Sequence, residues 1–245
     1  FVIIDNRDGS IVLSNQQIAF LCDRKFGVGS DGLIMLGTAS NYDFSMAYYN
    51  ADGTEGTMCG NGGRCLVAFA KKLNIIENKA SFMAIDGLHH ATISEDNSVS
   101  LQMKDVDSIK SEINYTFLNT GSPHHIEMVS TISKVEVKTE GAAIRYGTLY
   151  GSAGANVNFV EQIYEDTFSI RTYERGVEDE TLSCGTGATA VAIAMNFIGK
   201  TNSNSIKINV QGGKLEVSFD KNDSLYSNVI LKGPATFVFQ GKINI

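Results

Sequence analysis

Two short stretches of this chain place a cysteine, a glycine-rich turn and an apolar run in the same order. They are Met58-Cys59-Gly60-Asn61-Gly62-Gly63-Arg64 and Ser183-Cys184-Gly185-Thr186-Gly187-Ala188. The runs that follow, Cys65-Leu66-Val67-Ala68-Phe69-Ala70 and Ala190-Val191-Ala192-Ile193-Ala194-Met195, read as helices, so each thiol falls where a helix begins. Only a thiolate is a good base or nucleophile, and a free cysteine titrates at about pH 8.5. A helix N-terminus stabilises negative charge by about 0.3–1 kcal/mol, and by up to ~2 kcal/mol in partly buried geometry. That lowers a thiol pKa by roughly 0.2–1.5, which brings the group towards operating pH without locking it on as a thiolate. A group poised in this way suits proton transfer. The glycines also let first-turn N–H groups converge on an anion, and a carboxylate fits such a site.

Several chemistries compete for a pair of thiols. A structural zinc site needs four ligands in short chelating pairs, and Cys59 and Cys65 are too far apart, with the histidines elsewhere. A redox dithiol prefers Cys-x-x-Cys, which the chain lacks. A cysteine hydrolase needs one thiol and a histidine base, for which His124 is a candidate, but that leaves the second thiol loop unexplained. Duplication alone would leave two buried cysteines beside helix-start glycines, with no purpose for Asn50, Asn61, Asn156, Glu174 and Arg175. A two-base racemase or epimerase uses all of these. One thiolate takes the proton from a stereogenic carbon α to a carboxylate, and the other thiol delivers a proton to the opposite face. The helix starts stabilise the charge that spreads onto the carboxylate.

The rest of the chain is organised to repeat this unit. Phe44-Ser45-Met46-Ala47-Tyr48-Tyr49-Asn50 precedes the first cysteine as Phe168-Ser169-Ile170-Arg171-Thr172-Tyr173-Glu174 precedes the second. Asp86-Gly87 and Gln211-Gly212 follow at the interval that separates the cysteines. With 245 residues, 43% of them hydrophobic, there is enough chain for two cores. A division into residues 1–110 and 111–233 follows, with the last strand, in 234–245, a candidate to return to the first domain. The net charge of −7 and the lack of a basic run speak against a nucleic-acid partner. No apolar run reaches membrane length and no signal peptide is visible, so the expectation is a soluble cytoplasmic protein without a membrane partner. Four cysteines in a chain of this size are no disulfide framework, and in that compartment they are reduced.

Alternation and the turn Arg7-Asp8-Gly9-Ser10 predict a hairpin over residues 1–13, followed by a helix over 14–22 with Ser14 as N-cap. Cys22 reads as a small buried hydrophobe on that helix, and Cys65 as core of the next. Gly27-Val28-Gly29-Ser30-Asp31-Gly32 precedes a strand (33–36), not a helix, so it is a tight loop rather than a nucleotide fingerprint. Strands are expected over 42–49, over two or three segments of 80–103, and over 115–118, 167–173, 206–210, 214–219, 228–231 and 235–240. Helices are expected over 62–73 and 187–198. The second is apolar almost all round, as at the centre of a barrel-like sheet. His89 and His90 read as an exposed pair beside a hairpin tip, and the polar segment 104–112 as a domain joint. The repeat also predicts a strand and turn upstream of Phe1, since residues 115–126 have no counterpart in the first half.

Over essentially its whole length the chain resembles the diaminopimelate epimerases. The resemblance rests on Phe1-Val2-Ile3-Ile4-Asp5, Asn50-Ala51-Asp52-Gly53, Cys59-Gly60-Asn61-Gly62, Pro123-His124, Asn156-Val157-Asn158-Phe159-Val160, Glu174-Arg175-Gly176 and Cys184-Gly185-Thr186-Gly187. It implies an α/β (α+β) fold of two pseudo-symmetric domains, each a curved, mostly antiparallel sheet around a central helix, with substrate between them. The enzyme so implied is a cofactor-independent isomerase and a homodimer, acting on the small molecule diaminopimelate in lysine and peptidoglycan precursor synthesis. By matching positions, Cys59 and Cys184 would be the acid/base thiols. Gly60, Asn61, Gly185 and Thr186 would bind the reacting carboxylate. Asn50, Asn156 and Arg175 would hold the amine and the distal end of the substrate, and His124 and Glu174 would tune the thiols or the α-amine.

The chain departs from the family's pattern in four places. The family's Gly-Asn-Asp-Phe turn would lie just before Phe1, Ser122 stands where an asparagine is usual, the loop between Glu174 and Cys184 is one residue longer, and Gly32 replaces a glutamine of some members. Proline racemase-like enzymes carry histidine at the position of Asn61 and lack Glu-Arg-Gly, and phenazine-type isomerases lack the cysteine pair. A non-catalytic amino-acid-binding relative is the alternative from another class.

Overall fold

The fold is described from a computed structural model covering residues 1–56 and 58–245. By packing, the chain forms two units: Phe1–Leu101 with Pro234–Ile245, and Gln102–Gly233. Both are α+β and dominated by sheet, as the resemblance implies.

In the first unit the order is β1 (Val2–Asp5), α1 (Asn15–Cys22), β2 (Gly32–Gly37), β3 (Phe44–Asn50), α2 (Gly60–Lys72), β4 (Lys79–Ala84), β5 (Gly87–Ile93) and β6 (Ser98–Gln102). Neighbouring strands pair in sequence order. β1–β2 and β3–β4 are parallel, and β2–β3, β4–β5 and β5–β6 antiparallel. Each parallel pair is bridged by a helix, since a parallel connection cannot be made by a tight turn. α2 packs on β2, β3 and β5, so the sheet curves round it.

The second unit opens with β7 (Ile109–Ser111) and β8 (Thr116–Asn119). It continues with β9 (Pro123–Met128), α3 (Val137–Arg145), β10 (Asn156–Tyr164), β11 (Thr167–Glu174), β12 (Asp179–Thr181), α4 (Gly185–Phe197), β13 (Ser205–Val210), β14 (Gly213–Asn222) and β15 (Leu225–Pro234). From β9 onward the plan of the first unit returns. β9–β10 and β11–β13 are parallel, and β10–β11, β13–β14 and β14–β15 antiparallel. The additions are β12 on β11 and the β7–β8 hairpin, which pairs onto β9. α4 touches strands from both sides of this sheet, β8 to β10 as well as β13 and β14. Its Ala188, Ala190, Val191, Ala192, Ile193, Ala194 and Met195 are all fully buried, which explains an apolar pattern with no polar face. Among the described residues, no helix is long and apolar enough to cross a membrane.

Several local expectations are corrected. Residues 1–13 are not a hairpin, because β1 pairs with β2 beyond α1. The Asn6 side chain accepts from the Ile11 N–H and donates to the Ile11 carbonyl, both at 2.9 Å, and so takes the place of a second strand. Ser14 caps α1 as expected, in a reciprocal box with Gln17. The segment 104–112 is no plain joint, for it carries β7 and the buried Val106. Helix α3, with a weak polar pattern, is not legible in the sequence. Residues 235–240 form no strand. β15 runs on to Pro234, which has no N–H to continue a ladder, and beyond it the Lys72 ammonium lies over the Phe237 ring at 3.0 Å.

Candidate active site

Both thiol-bearing helices begin two residues earlier than the sequence pattern suggests, at Gly60 and Gly185. The shift matters chemically, because it makes each cysteine the N-cap itself. Cys59 has φ −106°, ψ 118° and Cys184 has φ −118°, ψ 113°, so the two cysteines share one backbone conformation. The Gly62 N–H donates to Cys59 Sγ at 3.5 Å, and first-turn N–H groups of a helix are not consumed by its own ladder. Glycine is needed beside the Cys184 sulfur. A Cβ on Gly187 would stand 2.6 Å from Asn158 Oδ1 and 3.3 Å from Cys184 Sγ.

Each unit holds its own share of the expected residues. The first carries Cys59, Gly60, Asn61 and Asn50. Asn50 ends β3 at the turn, where its Nδ2 donates to Thr54 Oγ1 at 3.3 Å. Asn61 Oδ1 accepts from the Arg64 guanidinium at 2.9 Å.

In the second unit, β9, β10, β11 and the start of α4 bring together Cys184, Gly185, Thr186, His124, Asn156, Glu174 and Arg175. His124 reaches the thiol through a hydroxyl: its Nε2 is 3.0 Å from Thr186 Oγ1, which is 3.5 Å from Cys184 Sγ. Asn158 Nδ2 donates to the His125 carbonyl and faces His124 Nδ1 at 3.2 Å, while Asn158 Oδ1 accepts from Thr172 Oγ1. An amide N–H₂ there makes His124 Nδ1 the acceptor and puts the ring proton on Nε2. That proton goes to Thr186 Oγ1, so the threonine hydroxyl is left to donate to the sulfur. Burial, with the Arg175 charge second, pushes the His124 pKa down to about 3, and the ring is neutral at physiological pH.

Asn156 ties two loops together. Its Nδ2 donates to Ser122 Oγ at 2.8 Å and to the Pro123 carbonyl at 3.1 Å, and its Oδ1 accepts from the Arg175 N–H at 2.8 Å. Ser122, a departure from the usual asparagine, is thus an acceptor in this brace. Glu174 accepts from Thr181 Oγ1 at 3.0 Å. The longer loop after Arg175 is pinned by Glu178, which takes φ 58° and accepts from the Gly176 N–H, Arg145 and the Tyr173 hydroxyl.

Sequence reasoning did not single out Asn158, Thr172 or Arg64 for the site. The period of two in Asn156-Val157-Asn158 was the available signal, since alternate residues of a strand share a face. For Arg64 the signal was a charge inside an otherwise apolar helix.

This architecture is shared with solved structures. A *Bacillus anthracis* phenazine biosynthesis protein of the PhzF family matches with a TM-score of 0.77 at 13% identity, over 99% of this chain and 92% of that one. A hydroxyproline epimerase from *Agrobacterium vitis* matches with a TM-score of 0.64 at 16% identity, over 88% and 76%. At those identities the likeness is one of fold. Sequence narrows it further. The family model for diaminopimelate epimerase matches residues 1–109 and 116–238, and the chain belongs to that family. A diaminopimelate epimerase of *Flavobacterium psychrophilum* is 63% identical over 99% of this chain and 95% of its own length. One from *Chlorobaculum tepidum* is 41% identical over 100% and 97%.

Proposed function

We propose that this protein is a cofactor-independent isomerase that interconverts LL- and meso-diaminopimelate by two-base proton transfer between Cys59 and Cys184. The observation that carries this reading is the repeated cysteine N-cap, in matching conformation, in a member of the diaminopimelate epimerase family. One thiolate takes the α-proton, and the electron pair left on carbon spreads onto the adjacent carboxylate. The opposite thiol then gives its proton to the other face. The two sulfurs exchange protonation states in each turnover, so no net proton is consumed. N–H groups at Gly60, Asn61, Gly185 and Thr186 hold the carboxylate and stabilise its added charge. Thr186, oriented by neutral His124, donates to the Cys184 sulfur when it is a thiolate. Arg175, braced by Asn156, and Asn50 hold the distal end and the amine of the substrate, with Glu174 beside them. We further propose a homodimer working in the cytoplasm, where the thiols stay reduced.

Solvent deuterium uptake tests this. In D₂O the protein is expected to place deuterium at the α-carbon of LL-diaminopimelate as it converts to the meso form, followed by NMR. Binding without exchange would make the chain a non-catalytic amino-acid-binding relative instead.

A further inference from the structure

A buried arginine sits in the first thiol loop, and the proton transfers above give it no task. Arg64 stands one turn into α2 and is 5% exposed. Its guanidinium turns back to the helix start, donating to the Gly60 carbonyl at 3.3 Å and to Asn61 Oδ1 at 2.9 Å. Both acceptors are neutral. Among the described residues no carboxylate pairs with Arg64, and its Nε is buried without a hydrogen-bond partner. Its place also opposes the helix dipole, which favours anions at this end. A cation taken out of water without a counter-charge is costly, so packing alone does not account for it. Burial pushes its pKa down, and the neighbouring Cys65 and Cys59 sulfurs push it back up.

The second loop shows what packing requires. The position matching Arg64 there is Thr189, fully buried, whose Oγ1 donates at 3.0 Å to the Gly185 carbonyl, the counterpart of Gly60. A neutral hydroxyl therefore serves the same carbonyl. Around Cys59 in the first unit, α2 carries Cys65, whose thiol burial pushes up, with Lys71 and Lys72 at its far end. Of the strands packed on α2, β2 has no titratable group and β3 has Tyr48 and Tyr49. β5 has His89 and His90, which bond to Asp86 and Ser81. Arg64 is a side-chain cation fixed at this helix start by its bonds to Gly60 and Asn61.

We infer that Arg64 is a positioning residue for the first thiol loop: it fixes Gly60 and Asn61 and supplies the positive charge that favours Cys59 as a thiolate. The inference rests on the proposal that Cys59 carries a proton in the reaction.

The test is the pH dependence of iodoacetamide alkylation of the intact protein, resolved by mass spectrometry at Cys59 and Cys184. Arg64→Met is expected to raise the Cys59 midpoint by about one pH unit or more and to leave that of Cys184 in place. Arg64→Lys, which keeps the charge, is expected to hold Cys59 near its wild-type midpoint. An unchanged Cys59 midpoint in Arg64→Met, or a raised one in Arg64→Lys, overturns the assignment. If Arg64→Met does not fold, Arg64→Gln takes its place with the same expected rise and the same overturning result. Alkylation needs no turnover, so a wild-type protein without deuterium exchange would end the proposed reaction and leave this result readable.

Discussion

Cys184→Ala is expected to lower kcat for epimerisation by about 10²–10⁴-fold, and Cys59→Ala to do the same, while both variants stay folded. The size is that expected for removing a positioned acid or base, because the proposed reaction needs one sulfur to take a proton and the other to give one in each turnover. The structural cost is small by comparison. Cys184 is buried at an N-cap, but α4 behind it is held by apolar contact on all sides, and the change removes a single heavy atom. Thermal melts of the two variants close to wild type, beside kinetics in both directions, separate lost chemistry from lost fold. Cys22→Ala is the control. Its sulfur lies in the cluster of Ile18, Leu21 and Leu33, which contains no residue of either thiol loop, and turnover is expected to survive.

Acid should unfold this protein through two histidines rather than through its carboxylates alone. His124 and His125 are 0% and 3% exposed, and burial pushes their pKa values down to about 3 and about 4. His125 lies 3.6 Å from Glu127, but a neutral ring makes this no ion pair. Both rings are neutral in the folded and unfolded chain well above pH 6.5, so they contribute nothing to pH dependence there. Below that value the unfolded chain takes up protons that the native state refuses. Stability then falls by up to about 1.4 kcal/mol per pH unit for each ring, until the pH reaches the folded values. Urea unfolding between about pH 7 and pH 4.5 measures this. His125→Phe, which keeps the stack on Tyr115 but loses the bond to Tyr150, should show a shallower slope; an unchanged slope would mean that His125 is already protonated in the native state.

The repeated loops, the two core helices and the order of most strands were legible because each has a strong local signal: cysteine–glycine spacing, all-round apolarity and alternation. The parallel pairing of β1 with β2 was not, since register across a helix leaves no mark on neighbouring residues. Asn6 hid it further by imitating a strand partner for Ile11. Helix α3 is hidden by a polar surface, and 235–240 reads as a strand because Phe237, Val238 and Phe239 form a β-prone apolar run, yet that run pairs with no strand among the described residues. At the site, the residue types were readable but their wiring was not. The path from His124 through Thr186 to the Cys184 sulfur depends on where the Asn158 amide donates, which is set by the carbonyl of His125 on a neighbouring strand. Arg64 was in plain view in the motif, yet its meaning required knowing that it is buried and that its counterpart is Thr189.

The most direct measurement supplies each stereoisomer of diaminopimelate separately to the single-thiol variants in D₂O and follows loss of the α-proton. Two-base transfer predicts that Cys59→Ala stops exchange from one stereoisomer and Cys184→Ala stops it from the other. Wild-type exchange from both stereoisomers in either variant would mean that one group serves both faces, and the paired-thiol account would be wrong.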